Sequence, residues 1–391
     1  MYKKVNFQKM ITLHELFFFK ENKFVRYLKN FIKIFFYKLN SLINSSKSCN
    51  TKIIYIVENA NWSIKWDGKY ISNEINKRFN SKIISICEVP SLNYHNEIIH
   101  FGSQYMWIDW YRSLPKNKDY VVSFFHGKEK DSPEVKKHIE KFIKSQNSIY
   151  KVITASSLVF ERLLNWGIPK SKLEVIPIGV DTNLFSIPKK EKRLKIRRKL
   201  GLKKNEIVIG SFQKDGQGWA EGYIPKLIKG PDLFVKSVEI ISKEVPIVVL
   251  LTGPARGYVK KELSERKIKF IHIFAKSYNE VASFYNALDL YIVSSREEGG
   301  PKAIVESMAS GVPIISTNVG MARDFIVDKK TGRLVNSFEP EEVAQKSLEI
   351  INFYNKEEII NAARNEVMRA DWSNISRIYW EKVYEPRIKN L

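Results

Sequence analysis

The chain has 391 residues, 44% of them hydrophobic, which is long and apolar enough for two packed domains. Its formal net charge of +23 implies attraction to something anionic: a nucleic acid, an acidic membrane leaflet or a phosphorylated substrate. Two cysteines, Cys49 and Cys87, exclude a disulfide framework, and six scattered histidines show no metal-ligand spacing, so no structural zinc site is expected.

Residues 1–48 read as a separate basic extension, with ten Lys and Arg against Glu15 and Glu21. Phe24, Leu28, Phe31, Phe35, Leu39 and Leu42 recur at steps of three and four, which lays them on one helical face. Such a helix reads as an interfacial membrane anchor, or as a stripe packed on the main body or a second subunit. No run of about 18 uncharged apolar residues occurs, so no spanning helix is expected. Lys20, Lys23, Arg26, Lys29 and Lys33 interrupt any signal-peptide core.

Residues 49–186 are expected to form a first α/β domain. Strand candidates are 52–57, 83–87, 98–101, 120–125 and 152–155, with helical stretches between several of them, as in a parallel sheet with crossovers. A linker is placed near 186–190. The basic run 189–204 reads as the solvated first helix of a second domain, ending at Gly201, or alternatively as a nucleic-acid patch. Residues 187–371 then alternate again, with strands at 207–211, 247–252, 270–274, 290–293 and 313–316 and a helix at 232–242. In 372–391, Ile375, Ile378, Tyr379 and Val383 stand at helical spacing. No internal repeat of solenoid period is visible.

The richest stretch is 294–313. An apolar strand ends at Val293, a polar turn follows, a short helix carries Glu306, and a second apolar strand returns. Glu298 falls at the strand end, where open α/β sheets meet ligands. Gly299 and Gly300 leave the backbone open to close approach. Pro301 suits a helix start, and the free amides and dipole beyond it, through Lys302, favour a phosphate. A second carboxylate, Glu306, lies just over a turn into the helix and can accept bonds from vicinal hydroxyls. The spacing alone also fits a solvated helix residue.

This segment resembles the E-x7-E signature of the retaining family-4 glycosyltransferases, which have the GT-B fold. Ile176-Pro177-Ile178-Gly179-Val180-Asp181 with Phe185 is similar to the family's "IPNGVD…F", and Thr154-Ala155-Ser156-Ser157 to the strand end before it. Ile209-Gly210-Ser211-Phe212 and Lys229-Gly230-Pro231-Asp232 resemble the start of the family's second domain with its "KG" pair. Gly311-Val312-Pro313-Ile314-Ile315-Ser316-Thr317 and Asn318-Val319-Gly320 resemble the segment after the signature helix. The resemblance spans about residues 52–385, and its motifs are specific jointly rather than singly.

The resemblance implies two Rossmann-like domains facing a cleft, with 372–391 returning to the first. It implies a nucleotide-diphosphate sugar as co-substrate, no separate cofactor, and no metal. Glu298 would hold sugar hydroxyls, Glu306 the ribose, Lys229 the diphosphate, and the amides of 299–302 the sugar and phosphates. His126, at a strand end before Gly127, is similar to the family histidine that faces the donor sugar; a structural histidine is the other reading. Ser211 departs from the family, which often has a basic residue there; Lys214 or Lys226 is the expected substitute. Arg256 is a candidate phosphate contact or a surface arginine. The insertion 215–226 reads as a lid or a surface loop. The Gly-Gly pair that often follows the family's first strand is reduced to Gly68, with Trp62 and Trp66 nearby, either stacking on an acceptor or packing as core.

The expectation is thus a retaining, metal-independent glycosyltransferase, cytoplasmic and peripheral on the inner membrane face through 1–48. Its acceptor would be a glycan or lipid-linked saccharide, in surface polysaccharide synthesis. A sugar-nucleotide epimerase on the same fold and a nucleic-acid binding protein are the alternatives. The latter rests on charge alone and lacks a recognition module, so no nucleic-acid partner is expected.

Overall fold

The computed structural model describes residues 51–58, 63–90, 97–116, 118–218, 220–353 and 355–388. The basic extension 1–48, Trp62 and Trp219 therefore lie outside the described residues. Two six-stranded parallel sheets organise the rest. The first contains β1 (Ile53–Ile56), β2 (Ile84–Cys87), β3 (Ile98–Phe101), β4 (Tyr120–Ser123), β5 (Lys151–Thr154) and β6 (Leu173–Val175), in the order β2-β1-β3-β4-β5-β6. The second contains β7 (Ile207–Ser211), β8 (Ile247–Thr252), β9 (Phe270–Ile273), β10 (Leu290–Val293), β11 (Ile314–Thr317) and β12 (Arg333–Val335), in the order β12-β11-β10-β7-β8-β9. Strands such as Ile53–Ile56 and Leu290–Val293 are buried throughout, because helices cover both faces of each sheet.

The strand order reverses between β1 and β3 in the first lobe and between β7 and β10 in the second. A crevice opens beyond the carboxyl ends of strands at such a reversal. Three helices reach these crevices: α1 (Ser63–Arg78) after β1, α2 (Ser157–Asn165) after β5, and α3 (Lys302–Ala309) after β10. The helix Pro231–Glu244 starts with Pro231 at its first position and Gly230 just before it. Gly230 has φ +61°, and a Cβ there would meet the Ser294 carbonyl oxygen at 1.9 Å. Only glycine lets this chain press against the end of β10, and that contact sets Lys229 beside the signature turn.

One apolar cluster fills the inner face of the second lobe and crosses to the first. It joins Ile304, Val305, Met308, Tyr285 and Tyr291 to Ala155, Val180 and Phe185. A second packs Phe234, Val238, Val249 and Leu251 on the opposite face. The third joins β1 and α1 to the end of the chain, where Trp372, Ile375, Tyr379, Val383 and Tyr384 bury against Ile53, Tyr55 and Ile71. Residues 372–384 run as the helix Trp372–Tyr379 and a wider π turn, Trp380–Tyr384. Trp372 stacks flat on Tyr70 with centroids 5.1 Å apart.

One expectation about the basic run is corrected. The helix Lys190–Lys199 is not wholly solvated. Arg193 and Arg197 turn inward, pair with Asp289 at 2.7 and 2.8 Å, and donate to the carbonyls of Leu288 and Ala287. A guanidinium has enough planar donors to satisfy several carbonyls and a carboxylate together, so two cations are absorbed into the fold.

Candidate active site

The turn after β10 is built to be rigid before it binds anything. The amides of Arg296 and Glu297 donate to the Ile228 carbonyl, and Arg296 grips Asp232 through two bonds of 2.7 Å. Glu297, next in line, reaches the first lobe. It pairs with Arg162 at 2.5 Å and Lys128 at 2.6 Å. Burial opposes its ionisation, but those two cations outweigh it and hold the carboxyl below its usual range. The turn is thereby clamped between lobes.

Glu298 then points to Lys229, with Oε1 2.5 Å from Nζ. Ser295 Oγ donates to the same oxygen at 2.9 Å. Among the described residues, the amides of Gly299 and Gly300 have no hydrogen-bond acceptor, and Gly299 is buried. At Gly299 the lobes press together: a Cβ there would fall 1.9 Å from the Phe125 carbonyl oxygen. His126 follows Phe125 directly. Its ring stays open to solvent, yet the lobes crowd it. That desolvation, helped by Lys229 and Lys226, lowers its pKa, while Glu298 and Glu297 pull the other way. His126, Glu298 and Lys229 are therefore brought together across the crevice.

Gln104 holds the His126 segment, and sequence reasoning missed it. The buried amide donates to the His126 carbonyl at 3.0 Å and accepts from the Phe125 amide at 3.3 Å. No local pattern marks it, since it lies on a helix more than twenty residues earlier.

Lys214, just before the insertion, and Lys226, at its end, line one groove of about 400 Å3 with Gly216, Gly218 and Leu227. Burial lowers the pKa of each, and for Lys226 the neighbouring Lys229 and Lys214 add to the effect. Lys226 sits within the field of His126 and Glu298. The insertion itself is a tied hairpin. Gly216 pairs with Pro225, and the tip carbonyls of Glu221 and Gly222 accept from the amides of Gly257 and Tyr258.

Arg256 is a correction. Its guanidinium is buried inside the second lobe. It donates to the carbonyls of Ser211, Gln213 and Thr252 at 2.6, 2.7 and 3.1 Å, and lies 3.0 Å from Asp215. Among the described residues its Nε has no hydrogen-bond partner but is itself buried, so the residue ties the end of β7 to the insertion instead of facing the crevice.

Glu306 is 6% exposed. Its Oε1 accepts from Tyr278 at 2.5 Å and its Oε2 from Tyr285 at 3.0 Å. Burial raises its pKa, while Tyr278, Lys302 and Tyr285 counter that. Pro301 caps α3 without a side-chain bond. Lys302, at the head of α3, sends its ammonium to Asp67 of α1 at 2.5 Å and lies near the Tyr278 and Trp372 rings. Trp66 stacks on Tyr278 across the lobes, with ring centroids 5.9 Å apart, and is partly buried. Among the described residues, no group of three or more His, Cys, Asp or Glu could hold a metal ion.

Comparison with known proteins follows the same outline. Residues 224–366 match the family model of the glycosyl transferases group 1. An uncharacterized glycosyltransferase of Methanocaldococcus jannaschii is 32% identical over 33% of this chain and 36% of its own. A capsular polysaccharide biosynthesis glycosyltransferase of Staphylococcus aureus is 26% identical over 41% of this chain and 44% of its own. These alignments thus span less than half of each relative. The crystal structure of Anabaena HepE in complex with UDP and glucose superposes with a TM-score of 0.67 at 17% identity, covering 85% of this chain and 99% of that one. Residues 224–366 thus match the model of the glycosyl transferases group 1, in a chain whose two lobes have the GT-B fold.

Proposed function

We propose that this protein is a retaining, metal-independent glycosyltransferase of family 4. It moves a sugar from a nucleotide-diphosphate sugar to a glycan or lipid-linked acceptor in surface polysaccharide synthesis. The observation that carries the reading is the convergence of His126, Glu298 and Lys229 at the strand ends where the two lobes meet. The domain match and the capsular polysaccharide relative support the chemistry, and the UDP and glucose bound to HepE support a uridine donor as the first to try.

In this reading Lys229 and Lys226 face the diphosphate, with the amides of Gly299 and Gly300 beside it. Preorganised donors of this kind stabilise the charge that builds on a leaving group. Glu298 accepts from sugar hydroxyls and Glu306 from the ribose. The acceptor oxygen bonds to the anomeric carbon as its bond to the diphosphate oxygen breaks, and the acceptor proton passes to that departing oxygen on the same face. His126 fixes the sugar from the first lobe. No carboxylate is asked to form a covalent adduct; trapping one on Glu298 or Glu306 would overturn this route.

Membrane attachment belongs to the same proposal and rests on the basic face of 1–48. Among the described residues, no helix is long and apolar enough to cross a membrane. Placement at the inner face of the membrane follows from a nucleotide-sugar donor. Thermal shift with UDP-, GDP- and ADP-sugars, followed by transfer assays with the sugar that stabilises, tests the reading. Stabilisation by one class with acceptor-dependent release of its nucleotide is expected. No stabilisation by any, or conversion to an isomeric sugar nucleotide without acceptor, would overturn it.

A further inference from the structure

The Glu306 carboxylate has an arrangement that the transfer reaction does not by itself require. It is buried, yet it carries two phenol donors, one per oxygen: Tyr278 at 2.5 Å and Tyr285 at 3.0 Å. An ionised carboxylate only accepts, with about two lone-pair sites on each oxygen. One tyrosine per oxygen leaves one site per oxygen. Two sites side by side on one carboxylate match two vicinal hydroxyls.

The tyrosines are themselves fixed. Tyr285 is fully buried and packs against Tyr291 and Phe185. Tyr278 is wedged between Phe185 and Trp66, the latter coming from the first lobe. Lys302 Nζ lies 5.6 Å from the Tyr278 ring centroid while paired to Asp67. Neither phenol can swing away without disturbing packing, so the carboxylate plane is set before any ligand arrives. A buried anion without such donors would be costly or would take up a proton, and a protonated acid offers one fewer acceptor.

We infer that Tyr278 and Tyr285 are positioning residues that keep Glu306 ionised and aim its two remaining lone pairs at the vicinal 2′- and 3′-hydroxyls of the donor ribose. This rests on the donor reading above. It assigns the discrimination between ribose and deoxyribose to three side chains rather than to Glu306 alone.

Calorimetry of the full chain with UDP, GDP and ADP, and with the 2′-deoxy form of whichever binds, tests it. The wild-type protein is expected to prefer the ribonucleotide by roughly tenfold or more, the scale of one hydrogen bond to a charged group. In Tyr278→Phe and Tyr285→Phe that ratio should fall toward one through weaker ribonucleotide binding, with the deoxy affinity nearly unchanged. KM for the donor should rise with little change in kcat, and ribonucleotide affinity should be lost at a higher pH on the acid side than in wild type. A purely structural role would weaken both nucleotides alike. Should Tyr285→Phe fail to fold, Tyr278→Phe, at the half-buried edge, gives the answer. Folded variants that keep the wild-type ratio, or that bind the ribonucleotide more tightly because a competing donor has gone, overturn the inference. A wild-type protein that binds none of the three nucleotides overturns the donor reading instead, and the inference with it.

Discussion

Lys229 neutralises Glu298 directly, ammonium to carboxylate at 2.5 Å, and Ser295 supports the same oxygen. Each residue thus holds the other ready. In the proposed reading the lysine meets the leaving phosphate, and the second carboxylate oxygen of Glu298 meets sugar hydroxyls. Glu298→Gln preserves shape and removes the charge. Turnover should fall about 100- to 1,000-fold, the scale seen when one preorganised charge-stabilising group is removed. The melting temperature should hardly move, because the side chain lies at the cleft rather than in the core. Activity equal to wild type in a folded variant would remove Glu298 from the site.

Gly299 is predicted to control lobe approach. A methyl group at that position would meet the Phe125 carbonyl oxygen at 1.9 Å. Neither partner is a flexible side-chain end, so backbone must shift. Gly299→Ala should keep each lobe folded and its circular dichroism unchanged, yet hold the lobes further apart. Misplacement by about 1 Å is enough to cost on the order of 100-fold in rate. Small-angle scattering should report a larger radius of gyration. Full activity with unchanged dimensions would show that the interlobe contact is dispensable.

Much of this architecture is legible along the chain, and the reason is locality. Alternating apolar runs and breaks mark the parallel strands, and Glu298, Gly299, Gly300 and Glu306 sit within one short turn-helix unit. What escapes is long-range pairing. Arg256 follows Gly253 and Pro254, which reads as an exposed loop; its burial depends on Asp215, on a different strand end. Gln104, Tyr278 and Tyr285 carry no motif, because each acts through a partner twenty or more residues away. The helix of 190–199 reads as strongly basic and solvated, and only Asp289, distant in sequence, explains why two of its arginines turn inward.

Asp67 and Lys302 should behave as a coupled pair. Both are largely buried, on opposite lobes, and 2.5 Å apart. Burial raises the Asp67 pKa and Lys302 opposes that. Lys302→Met strands a buried carboxylate, and breaking such a pair costs about 3–5 kcal/mol. Asp67→Asn with Lys302→Met should recover most of the loss in urea unfolding. The single Lys302→Met variant should also gain stability as pH falls toward the acid side. With its folded pKa raised further above the unfolded value, Asp67 is tolerated when protonated and penalised when ionised. Strictly additive effects of the two substitutions would mean the pair is not coupled.

His100 makes the fold itself sensitive to acid. It is fully buried on β3, with Nδ1 2.7 Å from the Tyr384 hydroxyl and Nε2 2.9 Å from Ser123 Oγ. Desolvation lowers its pKa to about 3. The unfolded chain takes up a proton near pH 6.5, and the folded one does not until far lower. Stability is therefore whole above about pH 6.5 and is lost as pH falls below it, by about 1.4 kcal/mol per unit. Between pH 6.5 and pH 5 the loss should reach about 2 kcal/mol. His100→Gln keeps polar atoms for both hydroxyls but does not titrate. Its stability, lower than wild type at pH 7.5, should decline less steeply on acidification in urea unfolding. Parallel slopes for the two proteins would show that His100 is not the group that titrates. Because Tyr384 lies in the segment that returns to the first lobe, the steep limb of the wild-type curve should coincide with exposure of the Trp372 and Trp380 fluorophores.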